Sequence, residues 1–191
     1  SISQGPVAVI DIGSNSVRLV AYDRLSRAPV PMFNEKSLCG LGREVAVTGL
    51  LPADGLVQAR DALKRFRVLC KLMKIERLFI LATAAARRAS NGPDFIAEVE
   101  DILGEPVSIL SGTEEARLAA LGVTAGLHRP NGLAGDLGGG SLELIGIEDG
   151  MLGQGVSLEL GGLSLRDAAG KSLKKAAKIV SDTLAKVPNL E

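Results

Sequence analysis

The sequence of 191 residues balances 22 lysines and arginines against 22 aspartates and glutamates and is 46% hydrophobic. A neutral chain has no overall field to draw it to nucleic acid or a membrane surface, so any polyanion must be held by a local site, while the apolar content suffices for a packed core. Cys39 and Cys70 are too few and too far apart for a disulfide framework or zinc centre and read as buried reduced thiols; no apolar run approaches the ~20 residues of a membrane span and no signal-peptide pattern opens the chain, so a cytoplasmic location is expected.

The first stretch, PVAVIDIGSNSVRLVAYD over 6–23, reads as an apolar strand ending at Asp11, a tip of Gly13, Ser14 and Asn15, and a second strand of alternating pattern from Ser16. This is the signature of a β-hairpin with a small-residue turn. A third strand is expected near 32–38, ended by Gly40 and Gly42. Over 52–73, Leu56, Ala59, Leu63, Phe66 and Cys70 recur at the three-to-four spacing of a helix with one buried face.

RLFILAT, 77–83, is a short continuous apolar run, expected as a parallel strand covered on both faces. AAARRASNG is expected to be a loop, leading to a helix from near Pro93 to Leu103. PVSILSG repeats the strand signal, and TEEARLAALGVTAGL follows as a helix capped by Ser111 or Thr113, with Glu114 and Glu115 in its first turn. The single histidine, His128, precedes a run of turn residues and reads as a solvated loop side chain.

GLAGDLGGGSLELIGIEDG, 132–150, echoes the opening hairpin. Shifting the sequence by 125 places lays Asp11 on Asp136, Gly13 on Gly138, Ser16 on Ser141 and Leu19 on Leu144, an internal duplication. A third strand over 150–165 is expected next, its SLEL standing where the first copy has KSLC. An amphipathic helix over 171–187 follows, with Leu173, Ala177, Val180 and Leu184 on one stripe. Lys171, Lys174, Lys175 and Lys178 at its start form either a solvated face or a polyanion track. The expected fold is α/β: a mixed sheet of three antiparallel then parallel strands flanked by helices, in duplicated lobes at 1–127 and 128–191. Only 136–191 remain from the second aspartate onward, so the second lobe is expected to be incomplete.

Asp136 and Glu143 lie symmetrically about the second turn, which sets them opposite each other on one face. Two adjoining carboxylates repel unless a proton or cation lies between them; a hard divalent ion such as Mg²⁺ meets that need, and a solvated acid beside a surface ion pair is the other reading. Gly138, Gly139 and Gly140 carry no Cβ, so successive N–H groups can converge on an anion. In the first hairpin the matching pair is Asp11 and Arg18, either a structural ion pair or a contact for metal-bound water, with Asn15 and Ser16 as added donors. Glu115 begins a helix that follows a strand, where it can orient and deprotonate a water or simply complement the helix dipole. Arg87 and Arg88 follow a strand end in the same way, to clamp a phosphoryl group or to stand solvated.

Five stretches in order, IDIGSNSVRLV, ATAAARRASNG, SGTEEARLAALGV, GDLGGGSLEL and SLELGGLSL, resemble the exopolyphosphatase / guanosine pentaphosphate phosphohydrolase (Ppx/GppA) family. That family belongs to the actin-like, sugar-kinase-like superfamily of two duplicated ribonuclease H-like lobes, and the resemblance covers 7–187. It implies release by water of the terminal phosphate of polyphosphate, or of the 5′-terminal phosphate of guanosine pentaphosphate, with a divalent metal, Mg²⁺ or Mn²⁺, and so a link to the stringent response. By the same resemblance Glu115 is the general base, Asp136 and Glu143 are the metal- and phosphate-site acids, and Gly138, Gly139, Gly140 and Ser141 form the phosphate-binding loop. Asp11, Gly13, Ser14, Asn15, Ser16 and Arg18 would line the facing loop, and Arg87 would bind phosphate. Ala84 stands where the family usually has serine, and Arg88 where an acid is common. The other readings are an actin-like-fold ATPase or kinase and a non-catalytic polyphosphate or alarmone sensor. The expected partner is one of the two phosphorylated substrates, and a homodimer is one admissible assembly.

Overall fold

Alternating apolar residues in VAVIDI and SVRLVAY pair β1 (Val7–Ile12) with β2 (Ser16–Tyr22) as an antiparallel hairpin, Asp11 opposite Arg18, in the computed structural model, which describes residues 5–187. β3 (Pro31–Leu38) adds antiparallel to β2. A short helix α1 (Val45–Thr48) and the long helix α2 (Ala53–Leu72) then return the chain to β4 (Arg77–Ala82), which runs parallel to β1. Helices α3 (Ala84–Arg88) and α4 (Gly92–Leu103) lead to β5 (Val107–Ile109), parallel to β4, and the sheet order is β3-β2-β1-β4-β5. This is the three-antiparallel-then-parallel sheet with flanking helices expected of an actin-like lobe.

The core of this part lies on one sheet face, where Ile10, Ile12, Val17 and Leu19 meet Ala59, Leu63, Phe66, Phe95 and Val99. Because strand side chains alternate between faces, Asp11 and Arg18 fall on the other side, exposed. The expected coverage of 77–83 on both faces is corrected: Ile80 is 2% exposed but its neighbour Phe79 is 37% exposed. A second correction concerns AAARRASNG, whose first half is the helix α3 rather than a loop. Alanine is the best helix former, and Ala84, Ala85 and Ala86 are buried, so packing supports the turn of helix that their propensity favours. Cys39 and Cys70 are free and buried, and burial pushes both thiols up.

Beyond these strands, α5 (Gly112–Gly126) packs on the hairpin of β6 (Gly132–Leu137) and β7 (Leu142–Glu148), burying Ala116 and Ala120 against Ala134, Ile145 and Ile147. β8 (Met151–Leu152) and β9 (Val156–Leu158) both pair antiparallel with β7. Then come α6 (Gly162–Ala169) and α7 (Leu173–Leu184), the latter capped by Ser172, whose hydroxyl accepts from the Lys175 N–H. The single strand expected over 150–165 is therefore two short strands broken at Gly153 and Gly155, and its last residues are helical. None of the α7 side chains is buried among the described residues, and Leu173 of its predicted apolar stripe is exposed. His128 is exposed in the loop after α5.

Packing divides the chain into two units, Ser1–Ile109 and Leu110–Glu191. The expected lobes, 1–127 and 128–191, rest on the duplication in sequence, and their extremities, 1–4 and 188–191, lie outside the described residues. No helix among the described residues is long and apolar enough to cross a membrane.

Candidate functional site

The two hairpin turns close with the same bond. Gly13 N–H donates to Ser16 O at 3.0 Å in the first unit, and Gly138 N–H donates to Ser141 O at 2.9 Å in the second. In the second turn the carbonyls are held from one side by the start of α6: Gly138 O accepts from Gly162 N–H (3.1 Å), and Gly139 O from Leu163 N–H (2.8 Å) and Ser164 N–H (3.3 Å). Gly140 O accepts from Ser164 Oγ at 2.8 Å. A trans peptide points its N–H opposite to its C=O, so the N–H groups of Gly139, Gly140 and Ser141 are turned away from α6. No backbone bond among the described residues uses those three donors. They form a small nest of positive dipoles of the kind that receives an anion.

The first turn is held by the same device. Ser14 O accepts from Gly42 N–H (2.6 Å), and Asn15 O from Cys39 N–H (3.1 Å) and Gly40 N–H (3.0 Å), which turns the N–H groups of Asn15 and Ser16 the other way. Ser14 and Ser141 are themselves buried.

Asp136 stands directly opposite Glu143 in the hairpin register, as the symmetry of the sequence about the turn requires. Their surroundings differ: Asp136 is exposed, whereas Glu143 is only 2% exposed. Among the described residues the Glu143 carboxylate is held by one donor, Ser157 Oγ, at 2.7 Å from Oε1. A buried carboxylate facing a second one calls for a cation or a proton. No group of three or more His, Cys, Asp or Glu that could hold a metal ion gathers among the described residues. Asp136 and Glu143 are two hard oxygen donors, and an ion held by them would have to complete its shell with waters and phosphate oxygens. On that chemistry the pair fits Mg²⁺ or Mn²⁺.

Glu115 lies in the first turn of α5, half-buried, on the helix that packs over β6 and β7. Ser111 caps this helix, its Oγ accepting from the Glu114 N–H at 3.2 Å. Gly112 sits so close to Ser157 that a Cβ there would overlap the serine side chain. The helix that carries Glu115 thus begins against the residue that holds Glu143.

In the first unit Arg18 donates Nε to Asn34 Oδ1 across the sheet at 2.9 Å. Thr83 N–H donates to Ile12 O at 3.2 Å, so α3 starts beside the end of β1, and Arg87 lies half-buried on it while Arg88 is exposed. Asp136, Gly138, Gly139, Gly140, Ser141, Glu143 and Glu115 thus lie in the second unit, and Asp11, Gly13, Ser14, Asn15, Ser16, Arg18 and Arg87 in the first.

Ser157, Gly161 and Ser164 carry structural parts that sequence reasoning did not assign. The signal for them was the alignment of SLEL with KSLC, which places the glycine-rich segment after each third strand behind its turn.

The model of the Ppx/GppA phosphatase family matches residues 19–187. Over 148 residues the chain is 32% identical to the guanosine-5′-triphosphate,3′-diphosphate pyrophosphatase of Vibrio cholerae, covering 76% of this chain and 29% of that protein. Over 154 residues it is 34% identical to exopolyphosphatase 2 of Mycobacterium tuberculosis, covering 73% of this chain and 47% of that protein. The chain thus spans less than half the length of either curated relative. The crystal structure of the Aquifex aeolicus member of the Ppx/GppA family superposes with a TM-score of 0.77 at 30% identity, covering 95% of this chain and 61% of that one.

Proposed function

The chain belongs to the Ppx/GppA phosphatase family, and we propose that the protein is a phosphohydrolase releasing the terminal phosphate of inorganic polyphosphate, the 5′-terminal phosphate of guanosine pentaphosphate, or both. The observation that carries this reading is the second turn, with three N–H groups directed away from α6 and a pair of opposed acids at its base.

In the proposed reaction, Glu115 orients a water and takes its proton as the water oxygen bonds to the terminal phosphorus. The bond from that phosphorus to the bridging oxygen breaks, and the electron pair leaves with the shortened chain. The N–H groups of Gly139, Gly140 and Ser141 hold the non-bridging oxygens and stabilise their charge without having to reorganise. A divalent ion bound by Asp136 and Glu143 would neutralise phosphate charge as a Lewis acid. Asp11, Gly13, Ser14, Asn15, Ser16, Arg18 and Arg87 are proposed as further phosphate-binding residues, and the cytoplasm as the place of action.

The test is phosphate release from polyphosphate and from guanosine pentaphosphate by the whole protein, with Mg²⁺ or Mn²⁺ and with chelator. Metal-dependent orthophosphate from at least one substrate is the expected result. Release from neither, or phosphoryl transfer from ATP instead, would overturn the assignment.

A further inference from the structure

Granted the phosphohydrolase reading of this site, we propose that Ser157 is a positioning residue that sets the Glu143 carboxylate and ties it to the helix bearing Glu115.

Ser157 and Glu143 are paired residues of β9 and β7, so their side chains share one face of the sheet. The Ser157 hydroxyl lies 2.7 Å from Glu143 Oε1, the length of a charge-assisted bond from a hydroxyl to a carboxylate. Glutamate has three side-chain torsions, and a buried carboxylate held by one donor keeps the rotamer that donor selects. With Oε1 engaged, Oε2 is the oxygen left to meet a ligand.

Ser157 is fixed in its turn. Its side chain fills the space that a Cβ at Gly112 would need, so the first residue of α5 and the serine interlock. Two residues before Ser157, just ahead of β9, Gly155 is pressed against Ala116 of the same helix, and a Cβ there would come within 2.7 Å of the alanine methyl. β9 therefore registers α5 against β7, and moving Ser157 would move both the acid it holds and the helix it touches.

The experiment uses the whole protein with S157A, E143Q and the double variant. Mn²⁺ binding without substrate is followed by electron paramagnetic resonance, beside the metal dependence of phosphate release. Groups behind a metal ligand typically contribute about 10–100-fold in affinity, so S157A is expected to weaken Mn²⁺ binding by about tenfold or more. Because Ser157 acts through Glu143, the same change in the E143Q background should add less than about twofold, the non-additivity of two residues in contact. S157C keeps the volume while weakening the donor, and is expected to shift binding in the same direction should S157A not fold. Mn²⁺ binding by S157A and S157C within about twofold of the parent, or an equal loss in the E143Q background, would overturn the role. If the parent protein binds Mn²⁺ yet releases no phosphate, the hydrolase reading falls while the binding arm still decides Ser157.

Discussion

Gly161 lies against the peptide that joins Gly140 to Ser141, and a Cβ placed on it would overlap both the Gly140 carbonyl carbon and the Ser141 nitrogen. Its own backbone is ordinary, φ −61° and ψ 152°, so the need for glycine here is purely one of space. The second turn keeps its shape because nothing larger than a hydrogen stands behind it.

Gly161→Ala should therefore damage the site without straining its own torsions. The added methyl must push the turn away from α6, at a cost of about 1–3 kcal/mol for overpacking, and it misplaces the N–H groups of Gly140 and Ser141. The expected outcome is weakened polyphosphate binding together with a lowered melting temperature, read by equilibrium binding and thermal unfolding. A variant that binds as the parent does would show that the turn is not the phosphate cradle.

Glu115→Ala should separate binding from chemistry. Loss of a positioned base lowers turnover by about 10²–10⁴-fold. The turn and the acid pair remain, so substrate affinity should hold. Steady-state phosphate release and direct binding measure the two, and undiminished turnover would remove Glu115 from the base role.

The pair Arg60 and Glu98 joins α2 to α4 in the first unit, and the hydrogen bond from Arg60 holds the Glu98 carboxyl below the usual carboxylate range. A lowered folded-state value means that the stabilisation is present above the unfolded carboxylate's pKa, near ~4.3, and is lost as pH falls through the folded value. Both side chains are partly exposed, 33% and 43%, so solvent screening limits the contribution to about 0.2–1 kcal/mol. Glu98→Gln should lower the melting temperature slightly at neutral pH and converge with the parent in acid. Thermal melts across pH would contradict this if the gap stayed constant.

Much of this was legible from the residues because it depends on short-range periodicity. The alternation in VAVIDI and LELIGIE fixes two hairpins, and the symmetry of the second about its glycines fixes Asp136 opposite Glu143. The three-to-four spacing of Leu63, Phe66 and Cys70 fixes α2, and Ser111 marks the start of α5. What the sequence hid depends on partners distant along the chain. Five residues of α3 are too few to show a period, and the first residues of α6 lay within the stretch expected as a single strand over 150–165. Ser157 and Gly161 are ordinary in composition, and only the fold brings one to Glu143 and the other to the turn.

Hydrolysis in heavy-oxygen water tests the central claim most directly, because attack by water on the terminal phosphorus fixes where the new oxygen goes. Mass spectrometry of the products should find the label in released orthophosphate and none in the shortened polyphosphate or nucleotide. Label in the remaining chain, with unlabelled orthophosphate, would mean that water attacks elsewhere and that this site does not work as described.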